Sequence, residues 1–97
     1  MILDNAVLQI ISKYLSQTEA KRASLFGSYA KGDAKEESDL DILIEFDPTV
    51  SLLKFVRYKR EMENLTGKKI DLLTPNSISS HIYPLIQKDL QVFYERE

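Results

Sequence analysis

The sequence predicts a small mixed α/β (α+β) fold, with helices packed on one short β-sheet. Three observations predict it. Near the start, Leu3, Val7, Leu8, Ile11 and Leu15 recur at helical spacing. From Asp39 to Phe46, the apolar Leu40, Ile42, Ile44 and Phe46 alternate with Asp39, Asp41, Leu43 and Glu45, which is the period of a strand. Along the chain the signals come in the order helix, strand, strand, helix, strand, helix, a pattern that suits a small sheet covered by helices.

The first stripe predicts an amphipathic helix over Ile2 to Ser16, closed by the polar run Gln17 to Arg22. Ala23, Ser24, Leu25 and Phe26 predict a short strand that stops at Gly27-Ser28, and the polar stretch Tyr29 to Glu37 predicts a helical turn and a loop. The strand Asp39 to Phe46 ends at Asp47-Pro48-Thr49. Ser51 is placed as the N-cap of a second helix, whose core stripe is Phe55, Tyr58, Met62 and Leu65 and whose C-terminal glycine is Gly67. Lys69 to Leu73 predicts a third strand, ended by Pro75. Ser77 to Asp89 is weakly helical, with Pro84 breaking or restarting it, and Val92 to Tyr94 predicts a last edge strand.

The 97 residues fit one domain, 1–97. At 43% hydrophobic and 29% charged they can build one core, but no run approaches the ~18 apolar residues of a membrane span. There is no basic stretch ahead of an apolar block of the kind that marks a secretory signal. Cysteine is absent, which excludes disulfides and thiolate metal sites and fits a cytoplasmic location. A net charge of −2 without a basic stripe argues against a nucleic-acid partner.

Four features point to chemistry. Asp39 and Asp41 are two apart on a strand, so both carboxylates face the same way while Leu40 and Ile42 face the core. Like charges side by side on a half-buried strand repel, and a hard divalent cation such as Mg²⁺ removes the conflict. Asp71, in Lys69-Ile70-Asp71-Leu72-Leu73, joins the same cluster if its strand pairs beside Asp39 to Phe46. Carboxylates around one or two metals suit phosphoryl transfer. Gly27 allows a backbone to approach a phosphate closely, and Ser28 adds a hydroxyl and an N–H at the start of the next turn. Each feature alone has an ordinary structural explanation. Their combination is far rarer: a strand ending in Gly-Ser, ten residues, an Asp-x-Asp inside an apolar strand, and a third Asp inside a later strand.

The run Gly27-Ser28-Tyr29-Ala30-Lys31-Gly32, followed by Ser38-Asp39-Leu40-Asp41-Ile42-Leu43-Ile44, resembles the signature of the DNA polymerase beta-like nucleotidyltransferase superfamily, at the spacing of its smallest members, the minimal nucleotidyltransferases. The resemblance covers nearly the whole chain. It implies that Asp39, Asp41 and Asp71 are catalytic and bind Mg²⁺, as two ions, and that Asp71 helps to deprotonate the acceptor hydroxyl. Gly27, Ser28 and Lys31 would bind the nucleotide, ATP by family analogy. Many relatives carry Arg where Tyr29 stands, and often a second Arg at Lys31. Lys31 still offers phosphate a point charge, whereas Tyr29 cannot, which implies a lower triphosphate affinity or a ring on which a base stacks.

Relatives this short are commonly encoded beside a HEPN ribonuclease toxin. The resemblance then implies a type VII-like antitoxin that attaches AMP to a tyrosine of that HEPN partner, with homo- and hetero-oligomers both open. Two other readings stand beside it: a non-catalytic antitoxin that neutralises by binding, and a nucleotidyltransferase acting on a small molecule or an RNA end. His81, the single histidine, is read as a surface or packing residue, and Lys54, Arg57, Lys59 and Arg60 as a solvated helix face that could meet an acidic partner.

Overall fold

The computed structural model describes residues 5–27 and 39–96. Helix α1 (Asn5–Leu15) leads into strand β1 (Ala20–Phe26). Strand β2 (Leu40–Phe46), helix α2 (Leu52–Thr66) and strand β3 (Ile70–Leu73) follow, then a 3₁₀ turn (Pro75–Ser77), a short helix α3 (Tyr83–Gln87) and strand β4 (Gln91–Glu95). The four strands form one sheet in the order β3-β2-β1-β4. β1 runs antiparallel to both β2 and β4, whereas β2 and β3 are parallel and α2 makes the crossover between them.

Side-chain parity divides the sheet into two faces. Ala23 and Leu25 of β1, Leu40, Ile42 and Ile44 of β2, and Ile70 and Leu72 of β3 pack with Ile11 and Leu15 of α1 and Met62 of α2 into the core. Each large side chain so buried contributes about 1.5–3 kcal/mol, and this is the main force holding the helices to the sheet. The opposite face carries Phe26, Asp41, Leu43, Asp71 and Leu73, at the alternate positions of the same strands.

Both ends of α2 follow the sequence signals. Ser51 Oγ accepts from the Lys54 N–H at 3.2 Å, and Gly67, at φ +68°, donates its N–H to the Glu63 carbonyl. Pro84 sits in the first turn of α3, where its missing N–H costs no helical bond.

Three expectations are corrected. β1 begins at Ala20, not Ala23, because the polar run is half strand: Arg22 faces Glu45 of β2 and Glu95 of β4 and bridges both, at 3.4 and 3.2 Å, with a register shift between Ala20 and Arg22. Leu43, grouped by alternation with polar positions, is buried beside Ser24. Leu65 is exposed, since the face of α2 that meets the sheet follows the four-residue step from Tyr58 to Met62 and turns away from it. Among the described residues no helix is long and apolar enough to cross a membrane.

Candidate active site

Strand pairing brings the candidate residues together. Asp41, the second residue of β2, is the register partner of Asp71 on β3 and of Phe26 on β1. Gly27 follows Phe26 directly, and Asp39 precedes β2 at the parity of Asp41. Gly27, Asp39, Asp41 and Asp71 therefore gather where β1 ends and the parallel pair β2 and β3 begins. Ser28 and Lys31, with Tyr29, lie outside the described residues.

Gly27 and Asp41 approach each other closely. Gly27 has φ +72°, a conformation that side chains disfavour, and a Cβ built there would lie 2.1 Å from Asp41 Oδ2 and 3.0 Å from its Cγ. The carboxylate lies directly against the glycine backbone. Asp41 is half-buried, while Asp39 and Asp71 are exposed. Burial first, then the charges of Asp71 and Asp39, push the Asp41 carboxyl up to about 6.

The donor chemistry of the cluster fits a hard divalent cation: three carboxylates whose mutual influence is repulsive, on one end of one sheet face. As the side chains stand, no group of three or more His, Cys, Asp or Glu among the described residues is disposed to hold a metal ion. The register of Asp41 with Asp71 brings these carboxylates into one neighbourhood.

Glu63 escaped the sequence reading. Its Oε2 accepts from the Ile70 N–H at 2.9 Å and from Lys59 Nζ at 3.4 Å. β3 is an edge strand, so this carboxylate takes a main-chain donor immediately before Asp71 and ties the strand to the end of α2. The Ile70 N–H and the Lys59 charge hold the Glu63 carboxyl below its usual range. In sequence Glu63 is one more charged residue of a solvated helix, and nothing in its local pattern marks the contact.

A second polar group, between α1, α2 and β1, braces the helices. Tyr58 donates its O–H to Glu19, and Lys54 Nζ donates to the same carboxylate at 2.7 Å. Tyr14 donates to Glu61, and the Tyr14 and Tyr58 rings meet edge to face. His81 is exposed, as expected.

The chain is similar to several known proteins. Residues 7–93 match the model of the nucleotidyltransferase domain. The chain is 47% identical over 83 residues to a Methanocaldococcus jannaschii protein provisionally named protein adenylyltransferase MJ0435, covering 86% of this chain and 85% of that one. It is 39% identical over 70 residues to the protein adenylyltransferase MntA of Thermococcus cleftensis, covering 72% and 71%. Among solved structures, a toxin-antitoxin with AMP-PNP superposes with a TM-score of 0.78 at 20% identity, over 93% of this chain and 74% of that one. A tri-AMPylated Shewanella oneidensis HEPN toxin in complex with MNT antitoxin contains a chain that superposes with a TM-score of 0.64 at 15% identity, over 92% and 73%. At these identities the two structures establish a shared fold.

Proposed function

The chain belongs to the nucleotidyltransferase domain family, and on that premise we propose that it is a protein adenylyltransferase that moves AMP from ATP to a tyrosine hydroxyl of a HEPN-type toxin and so acts as its antitoxin. The observation that carries the reading is the register of Asp41 with Asp71 beside Gly27. The names of the similar proteins support protein as acceptor and AMP as the transferred group. The toxin-antitoxin neighbours, one with AMP-PNP and one with an AMPylated HEPN toxin, support the nucleotide and the partner.

Asp39, Asp41 and Asp71 would hold Mg²⁺, as two ions. Bound there, the metal supplies neutralisation of the triphosphate charge and a more acidic acceptor hydroxyl. The main chain at Gly27 would bind the triphosphate beside Asp41, and Ser28 and Lys31 would add a hydroxyl and a point charge to the same hold. In the transfer, the acceptor oxygen bonds to the α-phosphorus and the bond from that phosphorus to the bridging oxygen breaks. The electron pair leaves with pyrophosphate. Asp71 takes the hydroxyl proton.

The test is to incubate the chain with labelled ATP, Mg²⁺ and a purified HEPN-type toxin, following AMP by mass. Wild type should label the partner. Asp71→Asn should keep Mg²⁺-ATP binding in calorimetry and lose transfer, and Asp39→Asn with Asp41→Asn should lose both. If that double variant restores growth of toxin-expressing cells as well as wild type does, neutralisation proceeds by binding and the transferase reading fails.

A further inference from the structure

Strand pairing brings a lysine to the acidic cluster. Leu40 donates its N–H to the Lys69 carbonyl at 2.9 Å, and Leu40 is the register partner of Ile70 in the parallel pair. In a parallel ladder that rung holds Lys69 beside Asp39, one step before Ile70. Ile70 belongs to the core, so Lys69 and Asp71 share the opposite face, which is also the face of Asp41. Neighbouring strands lie about 4.8 Å apart, and residues two apart on one strand about 6.6 Å. Lys69 therefore has Asp39 across the ladder and Asp71 along its own strand, and its charge rides on a flexible four-carbon stem.

The described fold leaves this charge uncommitted. Lys69 is exposed and takes part in no ion pair among the described residues. Glu63 feels the Lys69 charge only behind the Ile70 N–H and Lys59, from both of which it already accepts.

Place in the sheet says which substrate Lys69 meets. Gly27 follows β1, Asp41 lies on β2 and Asp71 on β3, and β4 continues the sheet beyond β1. The glycine that would hold the triphosphate is thus two strands, or about 10 Å, from β3. β3 is the outer strand, and on the site face of that edge stand Lys69 and Asp71.

We propose that Lys69 is a catalytic residue on the acceptor side: its ammonium donates a hydrogen bond to the acceptor oxygen while Asp71 takes the proton of that oxygen. The proposal deepens the transferase reading and rests on it. The electron pair freed on the acceptor oxygen forms the bond to the α-phosphorus, pyrophosphate leaves with the pair of the broken bond, and the ammonium keeps its own protons. As its proton moves, the hydroxyl oxygen gains negative charge, which the neighbouring carboxylates repel. A cation already fixed at that edge offsets the repulsion without reorganising.

The experiment uses the full chain with Mg²⁺-ATP and a purified HEPN-type toxin as acceptor. Lys69→Met keeps the length of the side chain and removes the charge, and its kcat should fall at least tenfold. Mg²⁺-ATP affinity in calorimetry, the KM for ATP and the melting temperature should stay as in wild type. Lys69→Arg should recover most of the rate. A second acceptor, with fluorotyrosine in place of tyrosine, has more acidic phenols that need less help to ionise. On it the loss in Lys69→Met should shrink several-fold, whereas a merely structural role would give the same loss on both acceptors. An unchanged kcat, or an equal loss on the two acceptors, overturns the proposal. So does a KM for ATP that rises tenfold at constant kcat, which would place the ammonium on the triphosphate. If wild type labels neither acceptor, the transferase reading fails and the role of Lys69 falls with it. A Lys69→Met protein as fast as wild type overturns the role of Lys69 alone.

Discussion

The Asp41 carboxylate occupies the space that a side chain on Gly27 would need, with Oδ2 2.1 Å from the position of the missing Cβ. Site and fold are joined at this contact, because the residue that follows β1 has no side chain where Asp41 of β2 stands.

Gly27→Ala should therefore cost both stability and activity. The left-handed backbone alone costs about 1–2 kcal/mol for a residue with a Cβ, and the overlap with Asp41 adds to it. Asp41→Ala in the same chain removes Oδ2 and Cγ and leaves its Cβ 3.3 Å from the new methyl group. The pair should thus be less destabilising than the sum of the single changes, with the backbone cost remaining. Chemical denaturation of the four proteins measures this coupling, and strict additivity would mean that the carboxylate moves aside freely.

Asp41 predicts a pH dependence of stability. Its carboxyl is raised from 3.8 to about 6 in the folded state, so the fold binds that proton more tightly than the unfolded chain does. The favourable contribution is full below about pH 3.8 and is lost as pH rises through 6. In chelator, Asp41→Asn should melt above wild type at pH 7, with the difference closing as pH falls towards 4. A variant that melts well below wild type at pH 7 would show that the acid is structural.

Glu19 predicts the opposite sign. The Lys54 and Tyr58 hydrogen bonds lower its carboxyl from 4.5 to about 2. The stability it contributes is present above about pH 4.5 and is lost as pH falls through 2. Glu19→Gln should melt below wild type at neutral pH, and the gap should narrow steadily in melts taken from pH 5 down to pH 2.

Glu63 should act on turnover through β3. Glu63→Ala leaves the Ile70 N–H at the sheet edge without its acceptor, a loss of about 1 kcal/mol in stability, and loosens the strand that carries Asp71. The kcat should fall several-fold with the KM for ATP unchanged. Glu63→Gln keeps an acceptor oxygen and should recover most of it. Equal losses in both variants would show that the charge, rather than the hold on Ile70, is what matters.

What the sequence determined by itself was local. Alternation identified β2, the four-residue step identified α1 and the buried side of α2, and Ser51 and Gly67 marked the ends of α2, because these signals depend on neighbours within a turn or two of chain. The parity of Asp39 and Asp41 was legible for the same reason. What only the tertiary structure decided depends on pairing between distant segments. Arg22 belongs to a strand because Glu45 and Glu95 stand opposite it. Leu43 is buried by what lies across its face. Asp71 reaches Asp41 because β3 runs parallel to β2 in a register that no spacing within either strand specifies. The Glu63 contact with Ile70 joins a helix end to a strand edge seven residues on. Hydrophobic period and capping are written in a single segment, whereas register and charge neighbourhood arise only when segments meet, and the candidate site is built from the second kind of relation.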